Sequence, residues 1–121
     1  MTTRREVLRD LLDFTQPLEK MRTELGGFSW DSEEELVQLT PEQALAVLGR
    51  AESGELMPTA VEDWANLIEC REDIGFSPDA DELLRELIHE LANPALEGAL
   101  DHAKLCGWIG RLRGVETVAG T

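Results

Sequence analysis

The chain reads as an all-α protein: a compact bundle of five to six amphipathic helices, with room for one short extended segment within residues 28–39. Three observations predict this. Apolar residues recur at i, i+3, i+4 and i+7 through most of the chain, the period of a helix buried on one side. Helix-start signals stand immediately before several of these stripes. The connections between stripes are short, as neighbouring helices of a bundle require.

Thr3 followed by Glu6 is a capping-box pattern, and Val7, Leu8, Leu11 and Leu12 supply the stripe behind it. Pro17 either kinks this helix or opens a second one capped by Thr15, since proline is tolerated in a first turn. Leu18, Met21 and Leu25 continue the pattern until Gly26-Gly27 ends it. Phe28-Ser29-Trp30 reads as irregular or extended. From Asp31 to Leu39 two readings compete, a short helix capped by Asp31 or Ser32 and a short strand alternating at Val37 and Leu39; the helix is preferred.

Beyond Thr40 the signals sharpen. Thr40-Pro41-Glu42-Gln43 orders a cap, an N1 proline and a capping-box glutamine. Ala44, Leu45, Leu48 and Ala51 form the expected buried face of a helix ending before Gly54. Pro58 opens the next helix, with Val61, Trp64, Ala65 and Ile68 inward, and a loop from Arg71 to Phe76 follows. Ser77-Pro78 starts another, with Leu83, Leu84, Leu87, Ile88 and Leu91 inward, which Asn93-Pro94 stops. After a turn at Glu97-Gly98, Asp101 caps a last helix striped by Leu105, Trp108, Ile109 and Leu112. Residues 1–113 form a single helical domain, and residues 114–121, which carry no stripe, a flexible C-terminal tail.

A chain of 121 residues buries roughly two-thirds of its unfolded surface and needs no disulfide or metal to hold a core. No apolar run approaches the roughly 20 residues of a membrane span. Arg4 and Arg5 are not followed by the apolar core of a signal peptide, so the chain is expected in the cytoplasm. In that reducing compartment Cys70 and Cys106 are expected to be buried free thiols.

Charge is the most informative quantity. The net charge is −14. Residues 26–100 carry 18 acids against three bases, Arg50, Arg71 and Arg85, while both ends of the chain are near neutral. Nucleic-acid binding needs Lys and Arg at the phosphates, and this region has almost none. Direct DNA or RNA binding is therefore excluded, and a basic protein partner is favoured by steering.

No constellation for catalysis, cofactor or metal binding emerges. His89-Glu90-Leu91-Ala92-Asn93 begins like the zinc helix H-E-x-x-H, but Asn93 stands where the second imidazole is needed. Glu86 and His89 match half of a di-iron motif, yet Glu86 faces away from the Leu83/Leu87/Leu91 stripe. His102 and Cys106 are one turn apart without a third orienting group, and are read as an exposed histidine beside a core cysteine. Gly26-Gly27 has no phosphate-loop lysine, and Asp79-Ala80-Asp81-Glu82 lacks the ladder of a calcium loop. The chain is expected not to be an enzyme.

What remains is the acidic pattern. Glu62, Asp63, Asn66 and Glu69 lie opposite the Val61/Trp64/Ile68 stripe. Glu82, Glu86 and Glu90 stand at i, i+4 and i+8 on one edge, where like charges cost a helix a few tenths of a kcal/mol each. Glu72 and Asp73 add acid in the loop between. These nine residues form the expected partner-binding face. Trp64 and Trp108 are expected in the core, while Phe28 and Trp30 lack a stripe, so one of them can be an exposed interface anchor, although a core plug under a loop is the commoner outcome.

The stretch Asp31 to Leu39, DSEEELVQL, resembles the acidic second helix of DNase-colicin immunity proteins, small helical bundles that block a basic nuclease. The sequence has no tyrosine and so lacks that family's Tyr-Tyr-Pro interface element. The block with Gly54-Glu55-Leu56, Val61-Glu62-Asp63-Trp64-Ala65, Arg71-Glu72-Asp73-Ile74-Gly75-Phe76 and Leu91-Ala92-Asn93-Pro94 looks like small acidic bacterial proteins without an assigned activity. The expected function is that of an inhibitor or immunity-type protein covering a basic site on a toxin, nuclease or nucleic-acid-binding partner. The alternative is a regulatory or scaffold module acting through self-association as a homodimer.

Overall fold

Thr3 opens helix α1 (Arg4–Asp13) with the capping box its spacing predicts: its hydroxyl accepts from the Glu6 amide at 3.2 Å, and Glu6 accepts from the Thr3 amide at 3.4 Å. The computed structural model describes residues 3–27, 35–69, 71–98 and 100–119. Phe28, Trp30, Asp31, Ser32 and Cys70 lie outside the described residues, and with them the readings made on those positions.

Val7, Leu8, Leu11 and Leu12 are all buried, as the stripe requires. Phe14 ends α1 in the left-handed conformation, φ 52°. This is unusual for a bulky side chain; here the ring is buried, with the Arg50 guanidinium 5.2 Å from its centroid and donating to the Phe14 carbonyl at 2.8 Å. Pro17 separates α1 from α2 (Leu18–Leu25) and itself occupies the N-cap. The expected Thr15 cap is corrected: the Thr15 hydroxyl donates to Asp10 instead, at 3.0 Å.

Helix α3 (Pro41–Glu52) begins with the predicted Thr40/Gln43 capping box. Its buried face is Ala44, Val47 and Leu48, while Leu45 and Ala51 are half-buried. Val47 replaces Leu45 because α3 packs along the last helix of the chain, which rotates its inward arc. Val61, Trp64, Ala65 and Ile68 of α4 (Pro58–Glu69) are buried as expected.

Two corrections concern extended structure. Val37–Leu39 is a strand, β1, rather than the end of a helix, so the helical resemblance drawn on DSEEELVQL does not extend through these residues. Ile74–Phe76, expected as loop, is a second strand, β2. They pair in parallel, Val37 with Ile74 and Leu39 with Phe76, and α3 and α4 form the crossover that parallel pairing demands. Val37 and Leu39 point inward and Gln38 outward. The Glu35 carboxyl lies where a Cβ on Gly75 would fall, but it is the far end of an exposed side chain that can move aside.

A 3₁₀ turn at Pro78–Ala80 leads into α5 (Asp81–Ala92). Leu84, Leu87, Ile88 and Leu91 are buried and Leu83 half-buried. The chain then makes a short helix, α6 (Pro94–Glu97), where only a turn was expected. Asp101 caps α7 (His102–Ala119) by accepting from the Lys104 amide at 2.8 Å. The helical backbone of α7 runs to Ala119, past the end of the stripe at Leu112, so the expected boundary at 113 is not a helix end.

Seven α-helices are thus present among the described residues, and the architecture is all-α apart from the two-stranded pair. One core joins six of them, α6 contributing no residue to it; α4 packs along α5, α3 along α7 and α1 against α2. No helix is long and apolar enough to cross a membrane among the described residues.

Gly107 lies on the exposed side of α7, and a Cβ built there meets nothing within 4 Å. Glycine is a poor helix former, so Gly107→Ala is expected to stabilise the fold by about 0.5–1 kcal/mol. Urea unfolding measures it; a loss of stability would show that another surface packs on this face.

Candidate protein-binding face

The expected binding residues divide into three groups according to what surrounds them. Asp73 leaves the surface altogether. It is fully buried, with Arg4 Nη2 at 2.8 Å and Arg71 Nη2 at 3.0 Å from its carboxylate. Its expected place on a partner-binding face is therefore corrected: burial between two guanidinium groups removes it from reach of another protein.

The second group is neutralised from within. α5 presents Glu82, Glu86 and Glu90 along one edge, as the i, i+4, i+8 spacing predicts, but α7 supplies cations to two of them. Arg111 reaches Glu86 at 3.0 Å. Lys104 lies 3.8 Å from Glu90, which also accepts from the Trp108 indole N–H. Arg111 stacks over the Trp108 ring, 4.2 Å from its centroid. Glu69 at the end of α4 faces His89 of α5 at 3.0 Å and accepts from the Asn93 amide group at 3.2 Å. Arg111–Glu86 is a solvent-exposed pair of modest strength that a partner's cations can compete for, whereas Lys104 and Glu90 are half-buried.

The third group is available. Among the described residues, no hydrogen bond or ion pair engages Glu62, Asp63, Asn66, Glu72 or Glu82. Asp63, Asn66, Glu72 and Glu82 are exposed and Glu62 is half-buried. α4 aims Glu62, Asp63 and Asn66 outward because Val61, Trp64, Ala65 and Ile68 hold its other side in the core. At the start of α5, Asp81 pairs with Arg85 at 2.5 Å. That hydrogen bond, opposed in part by desolvation and aided by the charges of Asp81 and Glu35, raises the Arg85 guanidinium above its ordinary value. The Arg85 guanidinium, a cation in any case, lies over Phe76, 4.9 Å from the ring centroid.

Sequence reasoning missed the cations of α7. Lys104 and Arg111 are 14 or more positions from their carboxylate partners, and no local spacing signals such pairs. It also misplaced Cys106, which is an exposed free thiol rather than a core residue. The signal was present: position 106 lies about 100° round the helix from Leu105 and so off the buried stripe. Its Sγ lies 3.5 Å from His102 Nε2 and donates towards Glu52 at 3.9 Å. Cys106 is expected to be alkylated by iodoacetamide in the native protein, as mapped by peptide mass. Protection until denaturant is added would contradict this exposure.

His89 and His102 are both exposed. Among the described residues, no group of three or more His, Cys, Asp and Glu side chains is arranged to hold a metal ion.

No protein-family model matches this chain, and neither a curated protein nor a solved structure was found to match it.

Proposed function

We propose that this chain is an acidic protein-binding domain that covers a basic site on a toxin, nuclease or nucleic-acid-binding partner, in the manner of an inhibitor or immunity protein. The observation that carries the reading is the set of carboxylates on α4, α5 and the loop before β2 that the fold leaves unengaged: Glu62, Asp63, Glu72 and Glu82. On a chain of net charge −14 they offer a field that steers a cationic partner and contacts that strengthen once water is excluded. The domain acts in the cytoplasm and performs no catalysis, and the same field keeps nucleic acid itself away.

Affinity capture from the source cells at low salt, followed by reconstitution with the purified partner, tests it. A basic protein should bind one to one, weaken steeply as salt rises, and bind more slowly to the Glu62→Lys/Asp63→Lys variant. Retention of no basic protein even at low salt would remove the proposal.

A second reading, self-association, is favoured by one feature. Gly107, Gly110 and Gly114 leave open space along the exposed side of α7. A concentration-dependent shift on a sizing column, abolished by Gly107→Leu, would support it.

A further inference from the structure

We propose that the acidic face has an anchor pocket, a cleft between the start of α4, the end of α5, α6 and the start of α7, which takes one apolar side chain of a basic amphipathic helix from the partner. The inference rests on the functional reading above and names where and how that partner docks.

The cleft has a volume of about 110 Å³, room for one aliphatic side chain. Pro58, Leu91, Pro94 and Leu100 supply its apolar walls, and Glu62 and Glu90 also line it. Lys104 also lines it, but its ammonium is engaged, donating to the Gly98 carbonyl at 3.1 Å and lying 3.8 Å from Glu90. Two exposed apolar residues stand close in the chain to its walls without lining it: Met57, 67% exposed, precedes Pro58, and Leu96, 76% exposed, lies two residues after Pro94 in α6. They are the large apolar side chains left exposed among the described residues, and each lies within two chain positions of a residue that lines the cleft.

Charge selects the occupant. A second copy of this chain would bring a net charge of −14 towards Glu62. An anionic membrane or nucleic acid meets the same repulsion. A helix with Lys or Arg on one side of an apolar stripe satisfies both features at once: its apolar anchor fills the cleft and covers Met57 and Leu96, and its cations meet Glu62 and the neighbouring Asp63.

The test uses two synthetic peptides with equal numbers of lysines, one an amphipathic Lys/Leu helix and the other carrying lysine without apolar side chains. Binding to the full chain is read by fluorescence anisotropy at about 0.15 M salt and again at low salt. The Lys/Leu helix is expected to bind about tenfold more tightly or better. The Met57→Ser/Leu96→Ser variant, altered only at exposed positions and checked for native circular dichroism, should lose that preference while retaining its affinity for the lysine peptide. Glu62→Lys should weaken both peptides. If the two peptides bind alike, or if the preference survives in the serine variant, the cleft is not the anchor and the acidic face stands without it. If neither peptide binds at low salt, both the cleft and the acidic-face reading fall. A dimer on a sizing column that is lost in the serine variant would make a second copy the occupant and overturn the proposal.

Discussion

Replacing Asp73 with alanine is expected to cost about 3–5 kcal/mol of folding stability, the range for removing one partner of a buried ionic cluster. Asp73 is fully buried and receives the Arg71 guanidinium in a two-pronged contact, Nε to Oδ1 and Nη2 to Oδ2, both at 3.0 Å. Arg4, from the first turn of α1, adds Nε at 2.9 Å. Alanine would leave two guanidinium groups facing a cavity, with the Arg71 side chain only 8% exposed and unable to reach water freely. The Asp73 carbonyl, which alanine retains, accepts from the amides of Leu36, at 2.8 Å, and Val37, at 3.3 Å, so the buried ion pairs anchor the backbone beside which β1 enters. Asp73→Asn preserves the shape and part of the hydrogen bonding, and should cost distinctly less. Arg4→Ala should also cost less, since its side chain is 25% exposed. Urea unfolding of the three variants gives the order; a cost below about 1 kcal/mol for alanine would mean that water takes the place of the carboxylate.

The other large effect is expected at Trp64. It is fully buried in α4, and its indole N–H donates to the Leu11 carbonyl at 2.7 Å, joining α4 to α1. Trp64→Ala should cost about 3–5 kcal/mol, from lost burial and the cavity left behind. Trp64→Phe separates the contributions. The Leu11 carbonyl also accepts from the Phe14 amide at 3.1 Å, so it is not left wholly unsatisfied. The phenylalanine variant should therefore lose about 1–2 kcal/mol, the hydrogen bond and a small volume defect together. Equal losses for the two variants would show that the hydrogen bond rather than the packing dominates.

The long helices were legible because each obeys rules confined to a few consecutive residues. Thr3/Glu6 and Thr40/Gln43 act within one turn, and the stripes of α1, α4, α5 and α7 name their own buried residues. The strands were not legible. β1 and β2 are three residues each, too short for a period to register, and their pairing depends on a crossover of two helices. Of the candidate residues, the outward placement of most was legible in the sequence, but their pairing was not. Helical spacing correctly turned Glu62, Asp63, Glu82 and Glu86 away from the core. It could not show that Arg111 and Lys104 would return to Glu86 and Glu90, or that Arg4 and Arg71 would bury Asp73.

The division has a physical cause. Hydrophobic period, capping and net charge are properties of neighbouring residues or of the whole composition, so they stand in the sequence whatever the helices do afterwards. They were enough to determine an all-α bundle with an acid-rich middle. Which carboxylates stay unengaged depends on which helix is laid beside which. Ion pairs form between groups a few ångströms apart in space, and their separation along the chain is free to take any value. Only the tertiary structure, which brings Arg111 and Lys104 of α7 to α5 and Arg4 of α1 to the loop before β2, decided that Glu86, Glu90 and Asp73 are paired while Glu62, Asp63, Glu72 and Glu82 are not.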